Sequence, residues 1–282
     1  MRRKALVRGL AFWMFLVPAA KGEAQFKFEK GAQFTVEDGL PGNVIRFIKK
    51  GKDGFVWIGT TDGLCRFDGA QFKVYQHDPE DPHSIIDNRT LCMAVDTHEI
   101  WVGTHVGLSR LDLATEKFTH YQFNEKGKLD KLQREDGQQI HSLLKDRNGT
   151  LWVGTRYWGL ARYLPEKDDF KMYRGDQNEV AKYFPEPKSI HNILSLEQHR
   201  FNDSIIWAGT SHGVLEVNKY ADTFEWLAFN LEIPIEKRWG NVFKNMYHHS
   251  DGLVYTGNWG GGVFVFNPGR RFVKLMDVRG HP

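Results

Sequence analysis

An eleven-residue phrase that begins with an aromatic residue recurs five times along this chain. It reads WIGTTDGLCRF from Trp57, WVGTHVGLSRL from Trp101, WVGTRYWGLAR from Trp152, WAGTSHGVLEV from Trp207 and YTGNWGGGVFV from Tyr255. The anchor residues are 44, 51, 55 and 48 positions apart, slightly more than the roughly 40 to 45 residues of one four-stranded propeller blade. The period therefore predicts a β-propeller before any single residue indicates a chemistry.

The first complete repeat reads as four short strands joined by tight turns. Its apolar segments are 44–48, 55–58, 64–67 and 72–75, and each has the composition of a half-buried strand. Asp-Gly and Asn-Gly pairs lie between them and supply the positive φ that tight hairpins require. We therefore expect an all-β chain of four-stranded antiparallel blades. The five predicted blades are 43–77, 88–123, 138–174, 190–229 and 241–277.

The anchor tryptophans are predicted to fill the space between neighbouring blades, because an indole at the same place in every repeat buries a large apolar area. The Gly-Thr that follows each tryptophan is interpreted as a strand-end and turn device. It is not a phosphate loop, since no Gly-Lys-Ser/Thr pattern or helix follows it.

Residues 33–37 match the outer strand at 71–75, so the array is expected to begin with an orphan outer strand that completes the last blade. The fifth repeat, however, has an outer strand of its own at 272–275. This leaves one strand too many for a ring of five blades closed in that way. An incomplete ring with unpaired edges at both ends is favoured, and a closed ring of five is the alternative.

The N-terminus has the pattern of a secretory signal. Four basic residues precede an apolar run over 10–20, and Gly22-Glu23-Ala24 forms a small-x-small cleavage site. We predict a signal peptide over 1–24, a mature domain over 25–282 and a periplasmic location. An uncleaved anchor is the alternative, although the run is shorter than the ~20 residues that span a bilayer.

Charge and cysteine content exclude several classes of function. The chain has 38 Lys and Arg against 35 Asp and Glu, of which five and one lie in residues 1–24, so the remainder is close to neutral. No nucleic-acid partner is expected without a basic stripe. Cys65 and Cys92 are expected to be buried free thiols rather than a bridge, and His248-His249 to be solvated. No metal site, cofactor or catalytic residue is predicted.

Three segments together resemble the two-component regulator propeller repeat. They are the D-x-x-G-x-L-W-V-G-T-x-x-x-G-L phrase at 146–160, DGFVWIGTTDGL at 53–64, and the entry DGLPGNV at 38–44. The resemblance implies the periplasmic sensor region of a hybrid two-component system, whose seven-bladed rings detect glycan fragments. It further implies an immunoglobulin-like domain, a membrane helix and a histidine kinase downstream, none of which this sequence contains. A partial seven-bladed ring is therefore favoured, completed by missing C-terminal parts or a partner chain.

The turns between the second and third strands and the long connections between blades should converge on one face of the propeller, where residues vary within a repetitive frame. The candidate ligand-binding residues on that face are Arg156, Tyr157, Trp158, Asn258, Trp259, His105, His212, Asp62, Arg238 and Trp239. Aromatic rings beside Arg, Asn and His suit an oligosaccharide. Alternatively, the aromatic side chains only cover the blade ends. Arg156 with Trp158 is the strongest pair.

The favoured function is an exported, non-catalytic ligand-sensing module. A polysaccharide or peptide lyase on the same fold is one alternative, but His105 and His212 have no evident carboxylate companion for a general base. A protein-binding scaffold is the other alternative, and the fold by itself does not decide among the three.

Overall fold

The computed structural model describes residues 33–123, 138–173, 192–211, 213–227, 243–258, 262–268 and 272–276. The chain divides into two compact units, Met1–Gln33 and Phe34–Pro282, and all of the described strands lie in the second. The predicted signal peptide lies outside the described residues. No helix in the described ranges has the length and apolar character needed to cross a membrane.

Twenty strands occur in the described residues and form five four-stranded antiparallel sheets, in which each strand pairs with the next along the chain. The first blade contains β1 (Ile45–Lys50), β2 (Val56–Thr60), β3 (Leu64–Phe67) and β4 (Phe72–Tyr75). The second contains β5 (Thr90–Val95), β6 (Glu99–Thr104), β7 (Leu108–Asp112) and β8 (Phe118–Tyr121). The third contains β9 (Ile140–Lys145), β10 (Leu151–Thr155), β11 (Leu160–Leu164) and β12 (Asp169–Tyr173).

The fourth blade contains β13 (Ile193–Gln198), β14 (Ile205–Thr210), β15 (Val214–Asn218) and β16 (Thr223–Leu227). The fifth contains β17 (Lys244–His248), β18 (Val254–Asn258), β19 (Gly262–Asn267) and β20 (Phe272–Met276). The first strand of each blade is its inner strand, and at the four junctions between successive blades the inner strands contact each other. The predicted all-β propeller of four-stranded blades is confirmed.

The anchor tryptophans are the centres of the apolar clusters, as predicted. All four are fully buried, and each indole N–H donates a hydrogen bond to a carboxylate of its own blade. The pairs are Trp57 with Asp53 (3.4 Å), Trp101 with Glu99 (2.7 Å), Trp152 with Asp146 (3.1 Å) and Trp207 with Glu216 (2.8 Å). In the fifth blade the hydroxyl of Tyr255 donates to Asp251 (3.0 Å). A buried indole requires such an acceptor, which explains the recurring acidic residue beside it.

The glycine of the Trp-x-Gly-Thr phrase sets the distance between blades, so its interpretation as a turn device is corrected. A Cβ on Gly103 would lie 2.7 Å from Cγ2 of Ile140, which belongs to the inner strand of the next blade. A Cβ on Gly209 would lie 2.4 Å from the backbone oxygen of Phe243, just before β17. Neither glycine has a positive φ. The position therefore requires glycine for close approach rather than for backbone conformation.

The threonine of the same phrase does serve the turn. Thr155 Oγ1 donates to the carbonyl of Gly159 at 2.9 Å, and Thr60 Oγ1 donates to Gly63 at 3.0 Å. Both glycines have positive φ, 86° and 142°. Each of these turns between the second and third strands is thus closed by a hydrogen bond from its own strand.

The outer edges of the first four blades are joined by acidic residues in hairpin turns. Each acid has a left-handed φ, between 47° and 57°, in the turn before the fourth strand of its blade. Each accepts a hydrogen bond from the last tyrosine of the preceding blade. The pairs are Tyr75 with Glu116 (3.4 Å), Tyr121 with Asp168 (2.7 Å) and Tyr173 with Asp222 (2.7 Å). Neighbouring blades are therefore connected at the edge as well as through the core.

The predicted orphan outer strand at 33–37 is wrong. Val36–Asp38 forms a short 3-10 helix, in which Thr35 Oγ1 accepts from the N–H of Glu37 and Asp38 Oδ2 accepts from the N–H of Thr35 at 2.7 Å. This capping box satisfies the local backbone without a strand partner. The ring of Phe34 packs on Phe67 at 5.2 Å, in the first blade itself.

One face of the first blade is exposed. In β1 five of the six residues are exposed, whereas β5, β9 and β13 contain none. Ile48 is 63 % exposed and Val44 55 % exposed. A closed ring of five blades would bury such side chains against the last blade, as β5, β9 and β13 are buried against their neighbours.

Both cysteines are free, in agreement with the prediction. Cys65 lies in β3 and Cys92 in β5, on different blades. Burial raises the pKa of the Cys65 thiol to about 11 and that of the Cys92 thiol to about 12. Both side chains therefore remain protonated near neutral pH and pack as small apolar groups.

Two histidines meet between the fourth and fifth blades. His248 is 2 % exposed, so its expected solvation is wrong, and its ring centroid lies 4.6 Å from that of His199. Nδ1 of His248 accepts from the N–H of Arg200 at 2.8 Å, and Nδ1 of His199 accepts from the N–H of Asn202 at 2.9 Å. Burial and the neighbouring His248 lower the pKa of His199 to about 4, and burial also lowers the pKa of His248. Both rings are neutral in the fold.

Acidification is expected to destabilise the protein between about pH 6.5 and about pH 4. In the unfolded chain His199 takes up a proton at its usual pKa of 6.5, but in the fold it does so only near 4. The stabilisation is complete above the unfolded pKa and is lost as the pH falls towards the folded one. Each such histidine contributes a slope of up to about 1.4 kcal/mol per pH unit. Urea unfolding at several pH values measures this slope, and His199→Asn should reduce it; an unchanged slope would contradict the assignment.

Candidate functional site

Each inner strand contains a β-bulge, which leaves one of its residues without a partner in the hydrogen-bond ladder to the second strand. In β1, Ile45 pairs with Thr60 and Phe47 with Gly59, so Arg46 is the extra residue. The same shift, opposite the Gly-Thr of the second strand, occurs in β5, β9 and β13, and in β17 it occurs one pair later. The extra residues are Arg46, Leu91, His141, Leu194 and Asn245. Bulges re-aim side chains, and here all five side chains reach the same space.

That space is a cavity of about 550 Å³, the central cavity. The five bulge residues line it together with Arg156, Asn192 and Lys244. Arg156 lies in the turn after β10, whereas Asn192 and Lys244 lie immediately before and at the start of inner strands. Among the described lining residues three are cations and none is a carboxylate. The arrangement is a concave, polar site with positive charge.

Gln139 organises one wall of the central cavity. Its Oε1 accepts hydrogen bonds from Arg156 Nη1 at 2.9 Å and from His141 Nε2 at 3.1 Å, and its Nε2 donates to His105 Nδ1 at 3.3 Å. The backbone N–H of Arg156 also donates to the carbonyl of Gln139 at 2.9 Å. The guanidinium of Arg156 is therefore held in one direction before any ligand binds.

Both imidazoles of this wall are neutral. Burial, followed by the charge of Arg156, lowers the pKa of His141 to about 4. Burial, followed by the charge of Arg89, lowers the pKa of His105. Neutral rings can each donate one hydrogen bond and accept one, which suits recognition of hydroxyl groups.

The turn after β10 holds Arg156 and two predicted aromatic residues in different places. Tyr157 is 48 % exposed, and the guanidinium of Arg156 lies 5.1 Å from its ring centroid. Trp158 packs against the apolar cluster of the second and third blades, and its backbone N–H donates to Thr155 Oγ1 at 2.8 Å. Of these three residues Arg156 lines the central cavity. Tyr157 is exposed beside the guanidinium of Arg156 but is not a lining residue, and Trp158 is partly buried against the apolar cluster.

The other predicted site residues have different positions. His105 reaches Arg156 through Gln139. Asp62 is exposed, is bonded by Thr61 and through its carbonyl by Gln76, and is not among the lining residues. Asn258 ends β18, and its side chain is not described. The positions outside the described residues are Trp259, His212, Arg238 and Trp239.

Sequence reasoning missed most of the lining residues, because they lie on inner strands rather than in turns. Arg46 and His141 interrupt apolar stretches, at Val44-Ile45-Arg46-Phe47 and Ile140-His141-Ser142. A charged or titratable residue at the same point in two inner strands is a usable signal. In addition, no group of three His, Cys, Asp or Glu side chains in the described part of the chain is arranged to hold a metal ion.

Comparison with known proteins identifies a family repeat in two segments of this chain. The profile described as "Two component regulator propeller" matches residues 39–62 and 135–157, segments that contain Arg46, His141 and Arg156. "Histidine kinase P4" from Formosa agariphila is 39 % identical over 80 residues, which are 28 % of this chain and 6 % of that protein.

Solved structures agree on the fold. The extracellular domain of the putative hybrid two component system BT3049 from B. thetaiotaomicron superposes with a TM-score of 0.67 at 20 % identity, over 86 % of this chain and 31 % of that one. The corresponding domain of BT4673 gives 0.53 at 18 % identity, over 84 % and 34 %. This chain thus spans about a third of these structures and a small part of the kinase. Two of its segments match the repeat of the two component regulator propeller family.

Proposed function

We propose that this chain is the ligand-recognising propeller of an extracytoplasmic two-component sensor, and that it binds an oligosaccharide in the central cavity. The observation that carries the proposal is the convergence of bulge residues from all five blades on one space of about 550 Å³. Such a cavity accommodates a small ligand, not a macromolecular surface. The protein-binding scaffold and the lyase have no comparable observation in their favour.

The chemistry of the wall fits a sugar. Tyr157 offers an exposed ring for the apolar face of a pyranose, and Arg156 lies beside it as an oriented donor. His141 and Asn192 add neutral polar groups for hydroxyls. The names of the related proteins, a histidine kinase and extracellular domains of hybrid two component systems, support a sensor role. In this proposal, ligand binding is transmitted to a histidine kinase, in the same polypeptide or in a partner.

Isothermal titration calorimetry of the purified protein against a panel of oligosaccharides tests the proposal. Arg156→Ala and Tyr157→Ala are each expected to weaken binding at least about tenfold, which corresponds to about 1.4 kcal/mol. Tyr247→Ala is the matched control, since Tyr247 is an exposed tyrosine whose ring packs on His249, whereas the ring of Tyr157 lies beside the lining residue Arg156. Equal affinity of all the variants would exclude this site, and chemical conversion of the sugar during the titration would contradict a non-catalytic sensor.

A further inference from the structure

The charged residues that line the central cavity, among those that the structure describes, are all cations. Arg46 comes from the inner strand of the first blade, Lys244 from that of the fifth and Arg156 from a turn of the third. These three elements are far apart in the chain, and their side chains line the same cavity. Like charges held around a concave space repel one another, and a bound anion relieves that repulsion.

Arg46 differs from the arginines that join the blades. Arg110 Nη1, for example, lies 3.2 Å from Asp168 Oδ1, so the guanidinium of Arg110 forms an ion pair inside the protein. The side chain of Arg46 takes part in no hydrogen bond or ion pair with any described residue, and it is exposed and lines the cavity. A guanidinium kept at a cavity without an internal partner is available to a ligand.

The lowered pKa values of His141 and His105 are consistent with a positive electrostatic potential in the cavity. Besides burial, Arg156 and Lys244 both lower the pKa of His141. Arg46 and Arg156 likewise lower the pKa of His105, although Asp87 opposes them. The effects of these cations on both rings agree with the charges of the lining residues.

We propose that the ligand of the central cavity carries an acidic group, a carboxylate or a sulfate ester, and that Arg46, Arg156 and Lys244 bind it. This inference rests on the proposed function, whose ligand class it narrows to acidic oligosaccharides. Guanidinium groups bind both kinds of anion through paired, charge-assisted hydrogen bonds. The neutral part of the sugar then contacts Tyr157 and Asn192.

The test uses matched pairs of probes that differ only in charge. One arm compares an oligogalacturonide with its methyl ester, and the other compares a sulfated galactan oligosaccharide with its desulfated form. In one of the two arms the acidic sugar should bind at least about tenfold more tightly than its neutral counterpart, and this difference in affinity should shrink as salt is added. The arm that shows the difference identifies the anion as a carboxylate or a sulfate ester. Arg46→Gln should lose about tenfold in affinity for the acid and less than about twofold for the neutral sugar.

Lys50→Gln is the matched control, since Lys50 is an exposed cation of the same strand that does not line the cavity. Neutral sugars that bind as tightly as their acids, with Arg46→Gln unaffected, would overturn the acidic ligand and leave the proposed function intact. Binding of none of the four probes, nor of any neutral oligosaccharide, would overturn both. Because Arg46 is exposed, its substitution should leave the fold unchanged, and the melting temperature of each variant checks this directly.

Discussion

Gly209→Ala is expected to lower the free energy of unfolding by about 3 kcal/mol, with a fall in Tm of roughly 6 to 12 °C. The new methyl group would lie 2.4 Å from the backbone oxygen of Phe243 and 2.5 Å from Ser195 Oγ. Ser195 could rotate, but the carbonyl of Phe243 cannot move without displacing the fifth blade. The cost therefore falls on the packing between two blades. Guanidinium unfolding followed by tryptophan fluorescence measures it, because the buried Trp207 lies in the adjacent cluster.

The fifth blade provides the control for this prediction. Gly257 occupies the same place in the fifth repeat, and the nearest atom to a Cβ there is the backbone oxygen of Lys244 at 3.6 Å, an ordinary contact. Gly257→Ala is therefore expected to change the free energy of unfolding by less than about 0.5 kcal/mol. Similar losses in the two variants would show that the glycine is needed for the strand itself and not for the approach of the next blade.

Asp146→Asn is expected to cost about 3 kcal/mol, because it removes one partner of a buried ion pair. Asp146 Oδ2 lies 3.0 Å from Lys219 Nζ, which connects the third blade to the fourth, and the two side chains are 0 % and 5 % exposed. The amide preserves the turn, in which Oδ1 accepts the backbone N–H groups of Asn148 and Thr150. It replaces Oδ2 by an amide NH2, so the indole N–H of Trp152 loses its acceptor as well, and the nearest carboxylate left to the ammonium of Lys219 is that of Asp203, at 3.4 Å.

Two further variants test whether the lost stability comes from the unpaired charge of Lys219. Asp53 occupies the corresponding turn of the first blade and accepts from Trp57, but it is exposed and has no ion pair in the described structure. Asp53→Asn should therefore cost no more than about 1 kcal/mol. Adding Lys219→Met to Asp146→Asn should restore part of the lost stability, because the unpaired charge is then removed. A double variant less stable than Asp146→Asn would contradict the ion-pair explanation.

The residues of the turn after β10 show which parts of the site can be predicted from the sequence. Arg156 was identified because it varies within a repeated turn, and the closing hydrogen bond of Thr155 holds that turn in place. Trp158, chosen by the same criterion, is partly buried and packs against the apolar cluster of the second and third blades. The exposure of a turn residue depends on the backbone dihedral angles of the turn. Neighbouring side chains in one turn can therefore differ in exposure, as Tyr157 and Trp158 do. The pattern of residue types alone does not contain that direction.

The N-terminal segment illustrates a competition between a local and a distant interaction. Residues 33–37 have the alternation of an outer strand, but Thr35 and Asp38 close a capping box three residues apart. A hydrogen bond between such close positions forms without ordering the intervening chain, whereas pairing with the last blade requires closure of a loop of more than about two hundred residues. The local interaction prevails in this segment.

The sequence by itself determined the number of repeats, the order of the four strands in each, and the burial of Trp57, Trp101, Trp152 and Trp207. These properties depend on hairpins between neighbouring segments, so their signals are local and periodic. The tertiary structure alone decided that Arg46, His141 and Asn245 face one cavity. Each of these residues lies in a bulge of an inner strand, opposite the glycine of the second strand. Because the residues belong to different blades, their side chains come together only after the blades have packed against one another.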